Sequence, residues 1–330
     1  MKVLVTGANG FLGSRLTRAL VQQGHEVHAL VRAQSDLSEL KGVKCTYVYG
    51  DVTDLDSLYK TFGGIDTVFH LAGLIAYKKA DRLKMEKINV TGTANVIDAC
   101  LTKGVRKLVY LSSVVAVGAG YTSDQILNED SEYNVGRLDL GYFETKHAAE
   151  KLVLAAYKEK NLDCVILNPS TIYGEGDAKK GSRRTQLKVA QGRFNFYTSG
   201  GVSIVGIEDV VKAIIAAWTK GRSGERYILS GDNITIHELF DMIAEEAGVR
   251  KPQHKIPNAV IFMLGYIGDT MEKFGKQGSL SIENAWTATM YHWFDNSKAK
   301  KELGFNPRPA REAIRNSVRW MKENGLLKHQ

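Results

Sequence analysis

Val3-Leu4-Val5-Thr6-Gly7-Ala8-Asn9-Gly10-Phe11-Leu12-Gly13 decides how this chain folds. An apolar, β-branched run passes through three glycines straight into the amphipathic run Phe11 to Gln23. A strand that turns on glycine directly into a helix is the setting a dinucleotide-binding fingerprint requires, and the setting carries more weight than the glycines alone. Gly7 and Gly10 would let the backbone approach a pyrophosphate, Gly13 would let the helix pack against the strand, and the helix N-terminus would favour the negative charge. An ordinary tight turn is the plainer alternative.

Outward from that turn, short β-rich runs alternate with helical ones. Strands are read at Val3 to Thr6, Val27 to Arg32, Thr46 to Tyr49, Thr67 to Ala72, Leu108 to Ser112 and Val165 to Leu167, with helices at Asp54 to Phe62, Ile88 to Lys103 and Tyr142 to Lys160 between them. The alternation predicts a doubly wound parallel sheet, and continuous apolar runs such as Val68-Phe69-His70-Leu71 fit strands covered by helices on both faces. After Pro169 the pattern breaks into the Gly/Lys/Arg-rich stretch Gly174 to Arg184, a helix-like run and Phe194 to Val205, read as a loop-rich excursion over the sheet edge. Glu208 to Trp218 reads as a returning helix and Glu225 to Ser230 as a further strand, with the remainder mainly helical. The expected fold class is α/β: a Rossmann-type domain over residues 1–174, rejoined by 200–230, and a smaller, mostly helical, interleaved substrate lobe over 175–330.

Composition narrows the function classes. With 330 residues, 44% of them hydrophobic and only 5 prolines, the chain can build a large core, which excludes a disordered or fibrous protein. The net charge of +8 comes from scattered pairs such as Lys78-Lys79, Lys179-Lys180 and Arg183-Arg184, without interleaved aromatics, so solvated surface is expected and nucleic acid is not. No run reaches the roughly 18 to 20 apolar residues of a membrane span. The best candidate, Ala259 to Ile267, reads as a lobe helix. Cys45, Cys100 and Cys164 form no Cys-x-x-Cys pair and suit small buried hydrophobes in a reducing compartment. Met1-Lys2 leads directly into the first strand, so a cytoplasmic protein is expected. No metal-ligand set is read.

The chemistry is carried by Tyr142-Phe-Glu-Thr-Lys146, which puts a phenol and an ammonium on one helical face, one turn apart. A free phenol has a pKa near ~10, so acid or base work near neutrality asks for a shift of roughly 3 units, about 4 kcal/mol, and a neighbouring ammonium acts in that direction. By itself the pair is common by chance in helices. About 20 residues past the glycine turn, where an acidic residue would accept the ribose 2′-hydroxyl of NAD, stands Arg32. An arginine there suits a 2′-phosphate, with Ser35 as a helper, and favours NADP over NAD, the alternative being a solvated surface side chain. His70 sits inside a buried strand with no carboxylate to orient it and reads as a packed core histidine. Ser113 closes a strand, where a hydroxyl is as often a simple cap.

The spacing Gly-x-x-Gly-x-x-Gly resembles the turn of the short-chain dehydrogenases/reductases, and further elements follow in that family's order. Asp51-Val52 stands where the family contacts adenine; His70-Leu71-Ala72-Gly73 is similar to its second nucleotide element; Ser113, with Gly118 five residues on, matches its catalytic serine. Asn89 aligns with an asparagine whose role is often structural, and Asn168-Pro169-Ser170-Thr171-Ile172-Tyr173-Gly174 with the segment near the nicotinamide carboxamide. The chain thus resembles an extended (atypical) member within the NAD-dependent epimerase/dehydratase superfamily. Val31-Arg32, Asn168 to Thr171, Gly224-Glu225-Arg226-Tyr227 and Trp293-Phe294-Asp295 bring it nearest the dihydroflavonol-4-reductase-like bacterial branch.

The resemblance implies Ser113, Tyr142 and Lys146 as the catalytic set. It implies cofactor contacts at Gly7, Asn9, Gly10, Phe11, Leu12, Gly13, Arg32, Asp51, Val52, Leu71, Ala72, Gly73, Tyr142, Lys146 and Pro169. Many nucleotide-sugar relatives carry a phosphate-binding arginine seven residues before the position of Asp209, where this chain has Val202. That substitution argues against a sugar nucleotide, although Arg183 and Arg184 offer another anion site. The expected function is NADP-dependent oxidoreduction of a carbonyl or secondary alcohol on a small molecule, taken as largely apolar from the stretch Ile256 to Ile267. The alternatives are a nucleotide-sugar epimerase or dehydratase with tightly bound NAD(P), and a non-catalytic NADP-binding sensor, which would usually lack the Tyr-x-x-x-Lys pair. The resemblance also implies a homodimer through helices at 88–103 and 144–160.

Overall fold

The computed structural model describes residues 1–179, 183–274 and 280–327, so Lys180 and the rest of 180–182 in the basic stretch lie outside the described residues. The first half runs β1 (Lys2–Thr6), α1 (Phe11–Gln22), β2 (Glu26–Val31), β3 (Thr46–Tyr49), α2 (Leu55–Thr61), β4 (Thr67–His70), α3 (Arg82–Met85), α4 (Gly92–Lys103), β5 (Lys107–Leu111), α5 (Gly141–Lys160) and β6 (Cys164–Pro169). There follow β7 (Thr171–Tyr173), α6 (Arg184–Ala190), β8 (Phe196–Tyr197), β9 (Gly201–Gly206), α7 (Ile207–Lys220), β10 (Arg226–Leu229), β11 (Asp232–Thr235) and α8 (Ile236–Ala247). The chain continues through β12 (His254–Lys255), α9 (Asn258–Lys273), α10 (Ile282–Thr289), β13 (Tyr291–His292), α11 (Ser297–Leu303) and α12 (Ala310–Glu323).

Seven parallel strands form the central sheet in the order β10-β6-β5-β4-β1-β2-β3. This is the Rossmann-like α/β arrangement expected. Alternate side chains of each strand enter different cores: Val3 and Val5 pack with Leu16 of α1 and Ile214 of α7, while Leu4, Val68 and Leu108 pack with Leu58, Val96 and Val153 on the other face. Because both faces are covered, the strands read as continuous apolar runs. Trp218 pins α7 to the sheet, its indole N–H donating to Thr67 Oγ1 at 3.1 Å.

The chain winds outward from β1 to β3, then crosses back to β4 on the other side of β1. Loops leaving neighbouring strands part at such a switch point and open a crevice at the strands' C-terminal ends. That is where the glycine turn after β1 meets Leu71-Ala72-Gly73 after β4.

A second sheet is built around β9, with β11 antiparallel on one side and β13 and β7 parallel on the other. Phe194 to Val205, read from sequence as part of a loop-rich excursion, therefore contains two strands. Gly200, Gly201 and Ser203 hide the β pattern. Gly201 is required because a Cβ there would come within 2.5 Å of Trp293 Nε1. On this sheet α8 and α12 close a third core through Leu239, Ile243, Ile314 and Val318. Among the described residues no helix is long and apolar enough to cross a membrane, and no three His, Cys, Asp or Glu side chains gather as a metal site.

Candidate active site

The N-terminus of α1 is bare. Its cap position is Gly10, no side chain caps it, and its first turn holds no acidic residue. Gly7 has φ +66°, and a Cβ on it would lie 2.9 Å from Ala72 N. A Cβ on Gly13 would fall 2.0 Å from Gly7 O, so only glycine allows α1 to start this close to the turn. Leu12 is buried in the core and can offer a ligand only its backbone, while Asn9 Nδ2 ties the turn to the loop after β2 through Asp36 O at 3.1 Å. The pairing of Thr6 with Leu30 puts the end of β2 level with the turn, and Arg32 stands exposed just beyond it. A turn with no room for a Cβ at Gly7 and Gly13, a helix start without a side-chain cap and a guanidinium alongside fit a dinucleotide carrying several phosphates.

Under this cradle Thr6 Oγ1 accepts from Leu71 N and Ala72 N, each at 3.1 Å, and lies 2.7 Å from His70 Nδ1. His70 Nε2 lies 3.1 Å from Thr93 Oγ1, whose hydroxyl donates to Asn89 O at 2.6 Å. The network assigns the proton to Nε2, with Nδ1 accepting from Thr6. Burial, aided by the Lys146 charge, pulls the His70 pKa down to about 3. His70 is a neutral core histidine that ties β1 to β4.

Asp51 and Val52 lie at the far end of the crevice, after β3. Asp51 Oδ1 accepts from Thr53 N and Thr53 Oγ1 at 2.9 Å, fixing a tight loop, and Val52 is buried with its carbonyl accepting from Asn95 Nδ2. Asn89 sits in a single π-helical turn, Glu86–Thr91, leading into α4. It brackets Leu74 from both sides, accepting at 2.7 Å and donating at 3.0 Å, and donates to Thr145 Oγ1 on α5 at 3.1 Å.

The structure brings Ser113, Tyr142 and Lys146 together. Tyr142 is buried, and Ser113 stands near enough to its hydroxyl to act on the phenol pKa. Burial raises the phenol pKa, nearby Tyr77 raises it further, and Ser113 draws it back only in part. This corrects the expectation that the ammonium of Lys146 sets the direction. Lys146 Nζ instead donates to Leu111 O at 2.8 Å and Tyr110 Oη at 3.3 Å, lying 4.9 Å from the Tyr110 ring centroid. Its own pKa falls to about 8 through burial, against the opposing pull of Glu150. Burial sets the direction for Tyr142, which favours the protonated phenol.

Side chains that the sequence reading missed hold this set in place. The buried Glu150 carboxylate accepts from Ser112 Oγ at 2.5 Å and Asn168 Nδ2 at 2.7 Å, and meets Arg226 Nε at 3.3 Å. Asn168 Nδ2 also donates to Ser113 O at 2.9 Å, so the ends of β5 and β6 are cross-tied beneath the serine. Pro169, buried, ends β6 beside it. The Tyr77 ring stands 6.3 Å from that of Tyr142 at 74°, and Glu283 from α10 accepts from Tyr142 N at 3.2 Å. One local signal was available, the i,i+4 placement of Glu150 after Lys146; Tyr77 and Glu283 gave none.

Two sequence expectations for the substrate side change. Arg183 is buried, with Nη2 donating to Ile172 O, Nε 3.7 Å from Asp177 Oδ2 and its guanidinium 4.0 Å from the Tyr173 ring centroid. The apolar run Ile256 to Ile267 leads into α9, where Ile261 is buried but Met263, Tyr266 and Ile267 are exposed. The later part of α9 lines a hollow of about 370 Å³ with Tyr266, Ile267, Thr270, Met271 and Phe274. Lys78–Glu272 and Lys79–Asp269 ion pairs hold α9 beside the segment that carries Tyr77. Val202 is buried in the third core, paired in register with Ile234 and His292.

Comparison with known proteins agrees with this geometry. The sequence model of the NAD dependent epimerase/dehydratase family matches residues 3–230. Sterol demethylase protein B of Methylococcus capsulatus is 31% identical over 339 residues, covering 99% of this chain and 100% of that protein. A putative dihydroflavonol 4-reductase of Synechocystis is 29% identical over 335 residues, covering 99% and 96%. The crystal structure of gox2253 superposes with a TM-score of 0.88 at 35% identity, covering 99% of each chain.

Proposed function

The chain belongs to the NAD-dependent epimerase/dehydratase family and is an NAD(P)-dependent oxidoreductase; from that premise we propose that it uses NADPH to reduce the carbonyl of a small, largely apolar molecule, or runs the reverse oxidation of a secondary alcohol. The observation that carries this reading is Tyr142, buried, its phenol pKa raised by burial, with Ser113 beside its hydroxyl and Lys146 one turn further along the helix.

A neutral phenol is poised to give a proton, which is what a carbonyl oxygen needs as the carbon beside it is reduced. Tyr142 Oη would donate that proton, and Ser113 Oγ would hydrogen-bond and orient the same oxygen. Lys146, still mostly charged at neutral pH with a pKa of about 8, would stabilise the phenolate left behind. The nicotinamide cofactor, when bound, supplies the hydride. The amides of Gly7 to Gly13 would hold its pyrophosphate, Arg32 a 2′-phosphate, Asp51 and Val52 the adenine, Leu71 to Gly73 and Lys146 the ribose hydroxyls, and the chain after Pro169 the carboxamide.

Two observations support an apolar substrate. Val202 is buried among hydrophobic side chains where sugar-nucleotide relatives carry an arginine, and Arg183 is engaged elsewhere. The relatives named for a sterol and for dihydroflavonol point to the same class. The family name also admits an epimerase or dehydratase, in which Tyr142 would move the same proton and the cofactor would stay bound between cycles.

The deciding experiment titrates the protein with NADPH and NADH by fluorescence, then follows absorbance at 340 nm across a panel of aldehydes and ketones. NADPH binding tighter than NADH, with NADPH consumed in step with substrate, is expected. Equal affinities would remove the phosphate preference, and a cofactor that survives gel filtration without net consumption would favour epimerisation or dehydration.

A further inference from the structure

Helix α5 carries Tyr142 as its second residue, yet its own N-cap position, Leu140, supplies no side-chain acceptor. The first-turn amides of a buried helix must find partners elsewhere. They find Glu283, which lies 141 positions further along the chain. Its Oε1 accepts from Tyr142 N at 3.2 Å, and the Gly141 backbone beside it also favours the charged carboxylate. Glu283 is 6% exposed and stands in the first turn of α10, so two helix N-termini converge on one anion.

The same turn of α10 reaches the other wall of the site. Ser281, the cap of α10, donates from Oγ to Tyr77 O at 2.9 Å, and the Tyr77 ring packs edge-on against Tyr142. One short turn of the lobe thus fixes the backbones of both aromatic residues, while Glu283 makes no contact with the phenolic oxygen.

From this geometry we infer that Glu283 is a positioning residue: a cap supplied in trans that holds the start of α5, and with it Tyr142, at the reacting oxygen. The inference rests on Tyr142 being the proton donor. Losing a charge-assisted hydrogen bond from a buried helix start corresponds to roughly 10- to 100-fold in an equilibrium. A loosened Tyr142 should therefore lower kcat by a similar factor, while cofactor binding, carried mainly by the glycine turn, Arg32 and Leu71 to Gly73, changes little.

The test compares Glu283→Ala, Glu283→Asp and Glu283→Gln with the parent protein. Amide hydrogen exchange is read in a peptide spanning 139–146, kcat on the fastest aldehyde or ketone of the panel, and NADPH affinity by fluorescence. Alanine removes the acceptor. Aspartate keeps the charge, and should keep the fold, but withdraws the acceptor by one methylene. Both should speed exchange at the start of α5 at least tenfold and lower kcat roughly 10- to 100-fold, with NADPH affinity within twofold. Glutamine retains an acceptor oxygen and should restore most of both. Exchange unchanged in alanine and aspartate variants would overturn the cap, and faster exchange with unchanged kcat would overturn its positioning role. Turnover that persists in Tyr142→Phe would instead sink the proton-donor assignment, while the exchange data would still decide the cap.

Discussion

Two helix starts face the same crevice and are finished in opposite ways. The N-terminus of α1 has no side-chain cap and no acidic residue in its first turn, and Gly7 and Gly13 lie too close to the backbone of Ala72 and of Gly7 to carry a Cβ. The N-terminus of α5 is closed by a buried carboxylate from the lobe. An open helix start holds an exchangeable anion; a closed one holds a side chain still. The molecule uses the first for binding and the second for chemistry, and the two should fail separately.

The largest effect is expected at the closed start. Tyr142→Phe keeps the ring and its packing but removes the proton, and should lower carbonyl reduction about 1,000-fold in steady-state kinetics, within the range for general acid catalysis. NADPH affinity should stay within threefold. If both fell together, the separation of binding from chemistry would be wrong.

Next is the open start. Gly13→Ala places a Cβ 2.0 Å from Gly7 O, so the turn or α1 must move. Overpacking of this kind costs up to about 3 kcal/mol, and NADPH affinity by fluorescence should fall roughly 100-fold. An unchanged affinity would mean that the cofactor does not lie on this turn.

Beneath the open start, His70 should make the fold sensitive to acid. Its folded pKa, about 3, lies below the ordinary 6.5, so between those values the unfolded chain binds a proton that the folded one refuses. Stability is then lost as pH falls through that window. His292, also pulled down by burial to about 4, acts in the same sense, so the parent–variant difference isolates His70. Urea unfolding at pH 7 and pH 4 should show His70→Asn losing about 3 kcal/mol less than the parent on acidification. Equal losses would mean that His70 is charged, or exposed, in the fold.

The smallest effect sharpens the identity of the anion. Arg32→Ala should weaken NADPH roughly 10-fold or more, as expected for charge-assisted contacts, and NADH less than twofold. Parallel losses would make Arg32 a general phosphate contact.

These two helix starts also show what could be read from sequence. The open start is local: strand, three glycines and helix follow one another without a break from Lys2 to Gln22, and their physical demands are met by one another. The Tyr142–Lys146 pair is equally local, one turn of one helix. Glu283 and Tyr77 carry no such signal, since each acquires its role from a fold that brings distant segments to α5. The direction of the Tyr142 pKa was out of reach for the same reason, because it depends on burial and on Tyr77, while the carbonyl of Leu111 and the hydroxyl of Tyr110 engage Lys146. Strand β9 was missed because Gly201 is there to make room for Trp293, a neighbour 92 residues away. The exposure of Met263, Tyr266 and Ile267 likewise could not be told from a buried lobe helix by composition.

The central claim is that Tyr142 faces the carbonyl or carbinol oxygen of an apolar substrate beside NADP. Crystals soaked with NADP and a mixture of apolar ketones, secondary alcohols and sugar nucleotides would address it directly. Density for an apolar molecule with its oxygen within hydrogen-bond reach of Tyr142 Oη and Ser113 Oγ is the expected result. A sugar nucleotide in that place, or a substrate oxygen bound away from Tyr142, would contradict it.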